Sequence, residues 1–570
     1  MEALTRRKDR GGSIIKRDPA LFAALVTIWL SFAIFIFLPL LRLLGATFLV
    51  EGQLSFANLA KVLRRAYNIR ALYGSLILAT TVSLAGTTLG YLFALAVTRT
   101  SWPRWLKWFV SAVTILPLIS PPFTSSISLT LALGPNGMLL KAFGIEELNF
   151  YGFWGTWLSE TLTYFPVAFM VLVAILDTMN ASLDDAALSL GASRARMFRT
   201  VTVPLSMPGI ANAILLLFGS SLADFATPLI LGGHTFPVLP TQAYLQITGM
   251  YDLRGGSSLS FLLLVPAFLV FIFQRALIGK KSYVTVTGKS GARSDFARLP
   301  RGLSVVIAVI ACFVSIFILY LYFIILWGSF VKVWSVNNSF TLEHYAYVFT
   351  HGIKAISDTL KIAAVSTVSG SLLAVVIGYV IQRKSFLGRQ VLEFSALLNY
   401  ALPGTVVGIA YILAFNEKPI LLTGTMTILV AAYVFRYYAT GIRSVMASLQ
   451  QIDPALEEAS ASLGASSTRT FTHVTIPLIV PAVLAGMRYL FIHCMTAISA
   501  TIFLVSVRWT LLTTRILESM TELQFSQASA FSIVLIVIVF AADALLLALL
   551  RYSTSKIGIR QEIKYDNAGA

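Results

Sequence analysis

Charge is what this chain has least of. Only 12% of its 570 residues are Asp, Glu, Lys or Arg, against 57% hydrophobic residues and a mean hydropathy of +0.81. A soluble domain carries about a quarter charged residues, so a soluble fold is excluded. Cysteine is nearly missing too. Cys312 and Cys494 both fall inside long apolar runs, where they read as small buried hydrophobes, and no disulfide framework or zinc spacing exists. The five histidines, His234, His344, His351, His473 and His493, show no paired ligand spacing on one helix face, so no metal site is expected. Gly288-Lys289-Ser290 imitates the end of a phosphate loop. Tyr283 stands where the required earlier glycine would be, and the surrounding segment is too short for a nucleotide-binding domain. Neither a nucleophile elbow nor a paired acid site occurs. The chain is thus expected to be no enzyme, to bind no cofactor, and to draw energy from elsewhere.

What is present is apolar length. Runs able to cross a bilayer need about 18 or more residues. Such runs centre in Pro19–Leu41, Ala71–Thr98, Trp108–Leu133, Gly255–Gln274, Gly302–Val331, Ile362–Gln382 and Phe394–Asn416, with a slightly shorter one in Pro419–Phe435. Four more carry one interior polar or charged residue: Trp157–Leu176 with Glu160, Pro208–Leu231 with Asp224, Pro481–Leu504 with His493, and Leu523–Leu550 with Asp543. The expectation is an all-α polytopic membrane protein of about twelve spans, six in each half.

The net charge of +18 is explained by where the basic residues sit, without invoking nucleic acid. Arg6, Arg7, Lys8, Arg10, Lys16 and Arg17 precede the first span, and no small-residue cleavage site follows a short apolar core, so 1–18 reads as a cytoplasmic tail. Arg275, Lys280, Lys281, Lys289, Arg293, Arg298 and Arg301 face one acid, Asp295, after span six. Arg99, Arg104 and Lys107, then Arg383, Lys384 and Arg389, follow spans two and eight. By the positive-inside rule both termini are cytoplasmic. Lys61, Arg64, Arg65 and Arg70 fall on the opposite side; an amphipathic interfacial helix over Leu54–Tyr73 accounts for them.

The chain repeats itself. Asp185-Ala186-Ala187, Gly191, Phe198 and Pro204 recur as Glu458-Ala459-Ser460, Gly464, Phe471 and Pro477, all at an offset of 273. Ser75, Leu76, Ala79, Gly86, Arg99 and Ser101 match Thr359, Leu360, Ala363, Gly370, Arg383 and Ser385 at 284, and Leu116-Pro117 matches Leu402-Pro403 at 286. Equal spans and equal orientation make the halves parallel repeats about an axis along the membrane normal. The expected organisation is a tail at 1–18, a first repeat at 19–279, a polar linker at 280–301, a second repeat at 302–551 and a tail at 552–570. Loops at 182–204 and 453–477 read as helix, break, helix. Ser182 with Asp185 matches a capping box, and Asp453-Pro454 places a capping acid before a proline.

These two loops resemble the EAA loop of ATP-binding-cassette importer permeases: acid-Ala-Ala, three residues, Gly, then a downstream Phe and Pro. Asp185 replaces the family's Glu and Ser460 its second Ala, both mild departures, and the resemblance covers nearly the whole chain. It implies that Asp185, Ala186, Ala187, Gly191, Glu458, Ala459, Ser460 and Gly464 belong to coupling helices that dock on two copies of an ATPase subunit. ATP and magnesium would be bound by that partner. It further implies an extracytoplasmic solute-binding protein and a bacterial inner-membrane location. The stretch from Ala401 to Tyr411 resembles the ferric-iron branch; thiamine, phosphonate, sugar-phosphate and polyamine importers share the architecture. The rival of another class is a 6+6 secondary transporter, but the turn Arg99-Thr100-Ser101-Trp102-Pro103-Arg104 lacks that group's charged Gly and Asp-Arg signature.

Ionisable residues inside a span are costly unless they face a cavity or a partner. Asp224 and His493 both follow an EAA-like loop, at ~24 Å and ~18 Å from the inner surface counted along the helix. They either line the translocation pathway or satisfy hydrogen bonds between helices. Pro117, within Pro117-Leu118-Ile119-Ser120-Pro121-Pro122, and Pro403 interrupt span three and its counterpart, as pathway elements or as ordinary kinks. Glu160 and Arg488 are expected to snorkel near span ends, and Asp543 to face the bundle interior.

Overall fold

The structure is a computed structural model describing residues 19–135, 137–145, 149–280 and 299–556. The tail at 1–18, most of the linker, including Gly288-Lys289-Ser290, and the end of the second tail lie outside the described residues. In chain order the principal helices are α1 Leu21–Phe48, α2 Ala66–Arg99, α3 Arg104–Ile119, α4 Thr124–Leu133, α5 Phe153–Thr178, α6 Ala181–Ser189, α7 Arg194–Leu222 and α8 Leu253–Lys280. They continue as α9 Arg301–Gly328, α10 Ile353–Arg383, α11 Arg389–Leu398, α12 Gly404–Phe415, α13 Met426–Gln451, α14 Ala455–Ser462, α15 Ser467–Thr496 and α16 Phe525–Lys556. Two short antiparallel hairpins, at Leu49–Leu54 and Val331–Phe340, follow α1 and α9.

Nine of the described helices are long and apolar enough to cross a bilayer, or up to eleven when each bent pair counts as one span. The pairs α3–α4 and α11–α12 turn by 104° and 106°. The first turn falls at Ser120–Phe123, where Pro121 and Pro122 supply no N–H, so the break comes just after Pro117, which stays inside α3. In the second, Pro403 itself is the residue before α12, with extended ψ of 143°. The expected span Pro419–Phe435 is displaced. Its first residues fold as a loop closed by Leu422 N–H on the Phe415 carbonyl, and the helix starts at Met426. That helix, α13, carries Arg436 and Arg443, which keep it less apolar than the nine.

The compact units of the structure do not follow the halves of the sequence. One contains α1, α10 to α15 and the later part of α16; the other contains α2 to α9 and the start of α16. Each repeat's first helix thus packs with the other repeat. In the unit holding α1, Phe32 meets Phe435 and Tyr438 edge to face, Phe35 stacks on Phe435 and packs against Phe415, and the Tyr411 hydroxyl donates to the Phe35 carbonyl at 2.8 Å. In the other unit α9 lies along the bent pair, with Tyr322 and Ser120 hydroxyls 2.5 Å apart. Small residues bring the inner helices close, the usual device where lipid removes the hydrophobic drive between helices. A Cβ on Gly86 would lie 2.6 Å from Leu217, and one on the equivalent Gly370 2.7 Å from Leu490.

Candidate functional site: the two coupling loops

Both loops fold as helix, turn, helix, in matching detail. The first short helix, α6, is capped by Asn180, whose Oδ1 accepts from the Ser182 N–H at 3.0 Å. The expected capping box does not form, because Ser182 already lies inside the helix. Asp453, 273 residues on from Asn180, does cap as expected, accepting from the Ala455 N–H at 2.9 Å. Each short helix ends in the same Schellman arrangement. Ala192 N–H bonds to the Ala187 carbonyl and Gly191 N–H to that of Leu188; Ala465 and Gly464 repeat this on Ser460 and Ala461. The glycines adopt φ of +84° and +81°, which only a residue without Cβ takes cheaply. Among the described residues of this chain a Cβ on either glycine meets nothing within 4 Å. Backbone conformation is what requires glycine.

The following helices open on Ser193 and Ser466, each accepting from an N–H three residues ahead at 3.3 Å. Both then widen into a π-turn, Phe198–Thr202 and Phe471–Thr475. Pro204 and Pro477 explain it: a proline has no N–H for the carbonyl four residues back and crowds it.

Burial divides the acids. Asp185 and Glu458, the acids of the repeated pattern, are exposed, as are Ala186 and Ala459, with Ala187 and Ser460 half-buried. The residue before each acid is the inward one. Asp184 accepts a buried charged bond from Arg99, the last residue of α2. Glu457 lies 3.2 Å from Nε of Arg383, the last residue of α10, and also accepts from the Thr475 hydroxyl at 3.1 Å. Arg383 Nη2 donates to the Ile452 carbonyl at 2.8 Å. The outward face is apolar. Leu183 and Leu190, seven residues apart and so on one helix face, are exposed, as are their equivalents Leu456 and Leu463; Leu190 and Leu463 reach 89% and 88%. Sequence reading missed all of these, although paired acids and flanking leucines recur at the same offset of 273.

The intramembrane residues divide between the units. Asp224 is buried just after α7, and its Oδ1 accepts from the Ala226 and Thr227 N–H groups at 3.1 and 3.4 Å, a local cap. Glu160 does not snorkel. It is fully buried in α5 and accepts from the Ser221 hydroxyl. In the other unit His493 Nδ1 donates to the Tyr489 carbonyl at 2.9 Å, which fixes the ring's orientation. Its ring stacks 3.9 Å from Tyr489 and lies 5.5 Å from Tyr437. Arg488 does not snorkel either: it forms a two-pronged pair with Asp543, which is buried as expected.

The basic segment between α1 and α2 is not one amphipathic helix. A short helix, Ala57–Leu63, ends at Arg64, and Ala66 already begins α2. Burial pushes the Asp252 carboxyl up, but bonds from the Gly255 N–H and the Gln246 amide, with Lys61 and Arg65 nearby, hold it below the usual range on balance.

Residues 86–283 and 370–558 each match the family described as binding-protein-dependent transport system inner membrane component. The ferric transport system permease protein FbpB of Actinobacillus pleuropneumoniae is 35% identical over 539 residues, covering 93% of this chain and 78% of that protein. A putative ferric transport system permease protein FbpB 1 of Haemophilus influenzae is 36% identical over 504 residues, 86% of this chain and 79% of its own length. This chain therefore belongs to the binding-protein-dependent transport system inner membrane components, the permeases of ATP-binding-cassette importers, with both copies of the domain fused in one polypeptide.

Proposed function

We propose that this permease imports ferric iron, delivered by an extracytoplasmic binding protein and driven by two ATPase subunits docked on α6 and α14. The observation that carries the docking is the doubled leucine pair: two loops present the same exposed apolar face beside equivalent acids, Asp185 and Glu458, and nothing among the described residues covers either. Exposed leucines flanked by polar residues mark a protein-interaction surface. The hydrolysis of magnesium-bound ATP belongs to the partner, and its motion enters through the loops as rotation of the spans. The substrate is supported by relatives at 35% and 36% identity whose names are ferric. Twelve spans with both termini cytoplasmic complete the topology.

Asp224, His493, Pro117 and Pro403 are proposed pathway residues, each lying at or beside a helix break or helix end within its own unit. Reconstituting the permease with its ATPase and binding protein, and measuring uptake of radiolabelled iron against molybdate, thiamine, phosphonate, sugar phosphate and polyamine, tests the assignment. Iron uptake that needs ATP supports it; uptake of another solute in preference to iron overturns it.

A further inference from the structure

The short helices that dock have almost no apolar anchorage to their own bundle. α6 buries only Ala181 and Asp184, and α14 buries no residue fully. A helix of eight or nine residues is marginal alone, so something other than packing must hold each one at a fixed angle to the spans. The structure places one guanidinium at that point in both repeats. Arg99 reaches Asp184 with its neighbouring Nη2 3.5 Å from the sulfur of Met179, the residue that closes α5. Arg383 holds Glu457 and the carbonyl of Ile452, the residue that closes α13, while Thr475 of the π-turn bonds the same carboxylate. Each arginine is the final residue of its long helix, and so joins three segments: the end of α2 or α10, the end of α5 or α13, and the short helix.

We infer that Arg99–Asp184 and Arg383–Glu457 are positioning pairs of the transport cycle, which turn a displacement of each docked short helix into movement of α2 and α10. The inference rests on the reading of α6 and α14 as ATPase docking helices. Side chains of the first pair are 2% and 4% exposed and those of the second 9% and 18%. A solvent-exposed pair is weak and yields easily. Removal of one partner from a buried pair is strongly resisted because the other charge is left unpaired. The planar fork of arginine fixes direction as well as distance. Glycine-mediated contacts of α2 with α7 and of α10 with α15 then carry the displacement inward along closely packed helices.

The test uses the complete complex in lipid nanodiscs, with permease, ATPase subunits and iron-loaded binding protein. D184N/E457Q keeps shape and removes both charges; D184N and E457Q alone leave one pair intact; R99K/R383K keeps charge without the fork. Three quantities are read: ATPase subunits retained per permease, stimulation of ATP hydrolysis by loaded binding protein, and iron transported per ATP. The expected result is full ATPase retention with stimulation reduced by about fivefold or more in the double variant, the lower end of typical coupling. The single and lysine variants should fall between it and the parent. Normal stimulation per assembled complex, with only lower thermal stability, overturns the inference, as does release of the ATPase by D184N/E457Q. The docking reading fails separately, if L190D/L463D still binds the ATPase.

Discussion

Replacing Leu190 and Leu463 by alanine removes two side chains that the chain itself leaves 89% and 88% exposed. A leucine fully buried in an interface contributes about 1.5–3 kcal/mol over leaving it in water. With tenfold in affinity per about 1.4 kcal/mol, each loop should lose about tenfold to a hundredfold in affinity for the ATPase subunit. The permease's own stability should hardly change, because surface substitutions away from packed groups stay within about 0.5 kcal/mol. L190A, L463A and the double variant, purified in nanodiscs, are titrated with the ATPase subunit while thermal unfolding is followed in parallel. An unchanged dissociation constant at unchanged melting temperature would refute the docking face. A fall in melting temperature without loss of affinity would show that the leucines pack within the permease.

Gly191→Ala and Gly464→Ala meet no neighbour but force a left-handed backbone, at a cost of about 1–2 kcal/mol each. The Ala192 and Ala465 amides, which close the Schellman turns, should exchange hydrogen roughly 5- to 30-fold faster by mass spectrometry. Arg488→Met strands the buried Asp543 and should lower thermal stability, toward the lower end of about 3–5 kcal/mol because the Arg488 side chain is 36% exposed. R488M/D543L should restore most of it. Because the folded Asp252 carboxyl titrates below its unfolded value, its contribution is present above the unfolded value near about 3.9 and is lost as pH falls through the lower folded value. Protection factors for hydrogen exchange across residues 246–255, corrected for the intrinsic pH dependence, should therefore fall below about pH 4, and D252N should remove that fall.

The loops, the repeat and nearly every span were legible because they leave long or periodic traces: apolar length, a fixed offset, and glycine and proline at marked positions. What stayed hidden is direction. Asp184 and Asp185 are adjacent acids about 100° apart on one helix, and nothing in their types says which faces the bundle. Ser182 and Asn180 are both acceptable caps, and only the repeat register with Asp453 would have chosen Asn180. Glu160 and Arg488 were expected to reach water because long side chains near span ends usually do. Their partners Ser221 and Asp543 lie 61 and 55 residues away, beyond any local pattern. The exchange of first helices was equally silent, since α1 and α9 are apolar on nearly every face and mark no preferred neighbour.

That exchange has a consequence in time. Apart from Trp29 on the same helix, Phe32 and Phe35 of α1 find their aromatic partners only from residue 415 onward, and the helices that make up the rest of their unit begin at Ile353. A ribosome adds about 5–20 residues per second, so roughly 300 residues separate the emergence of α1 from that of its neighbours by about 15–60 s. For that interval α1 sits in the bilayer with lipid where Phe415, Phe435 and Tyr438 will be. Its apolar character on nearly every face is therefore a requirement of the order of synthesis as much as of the finished protein.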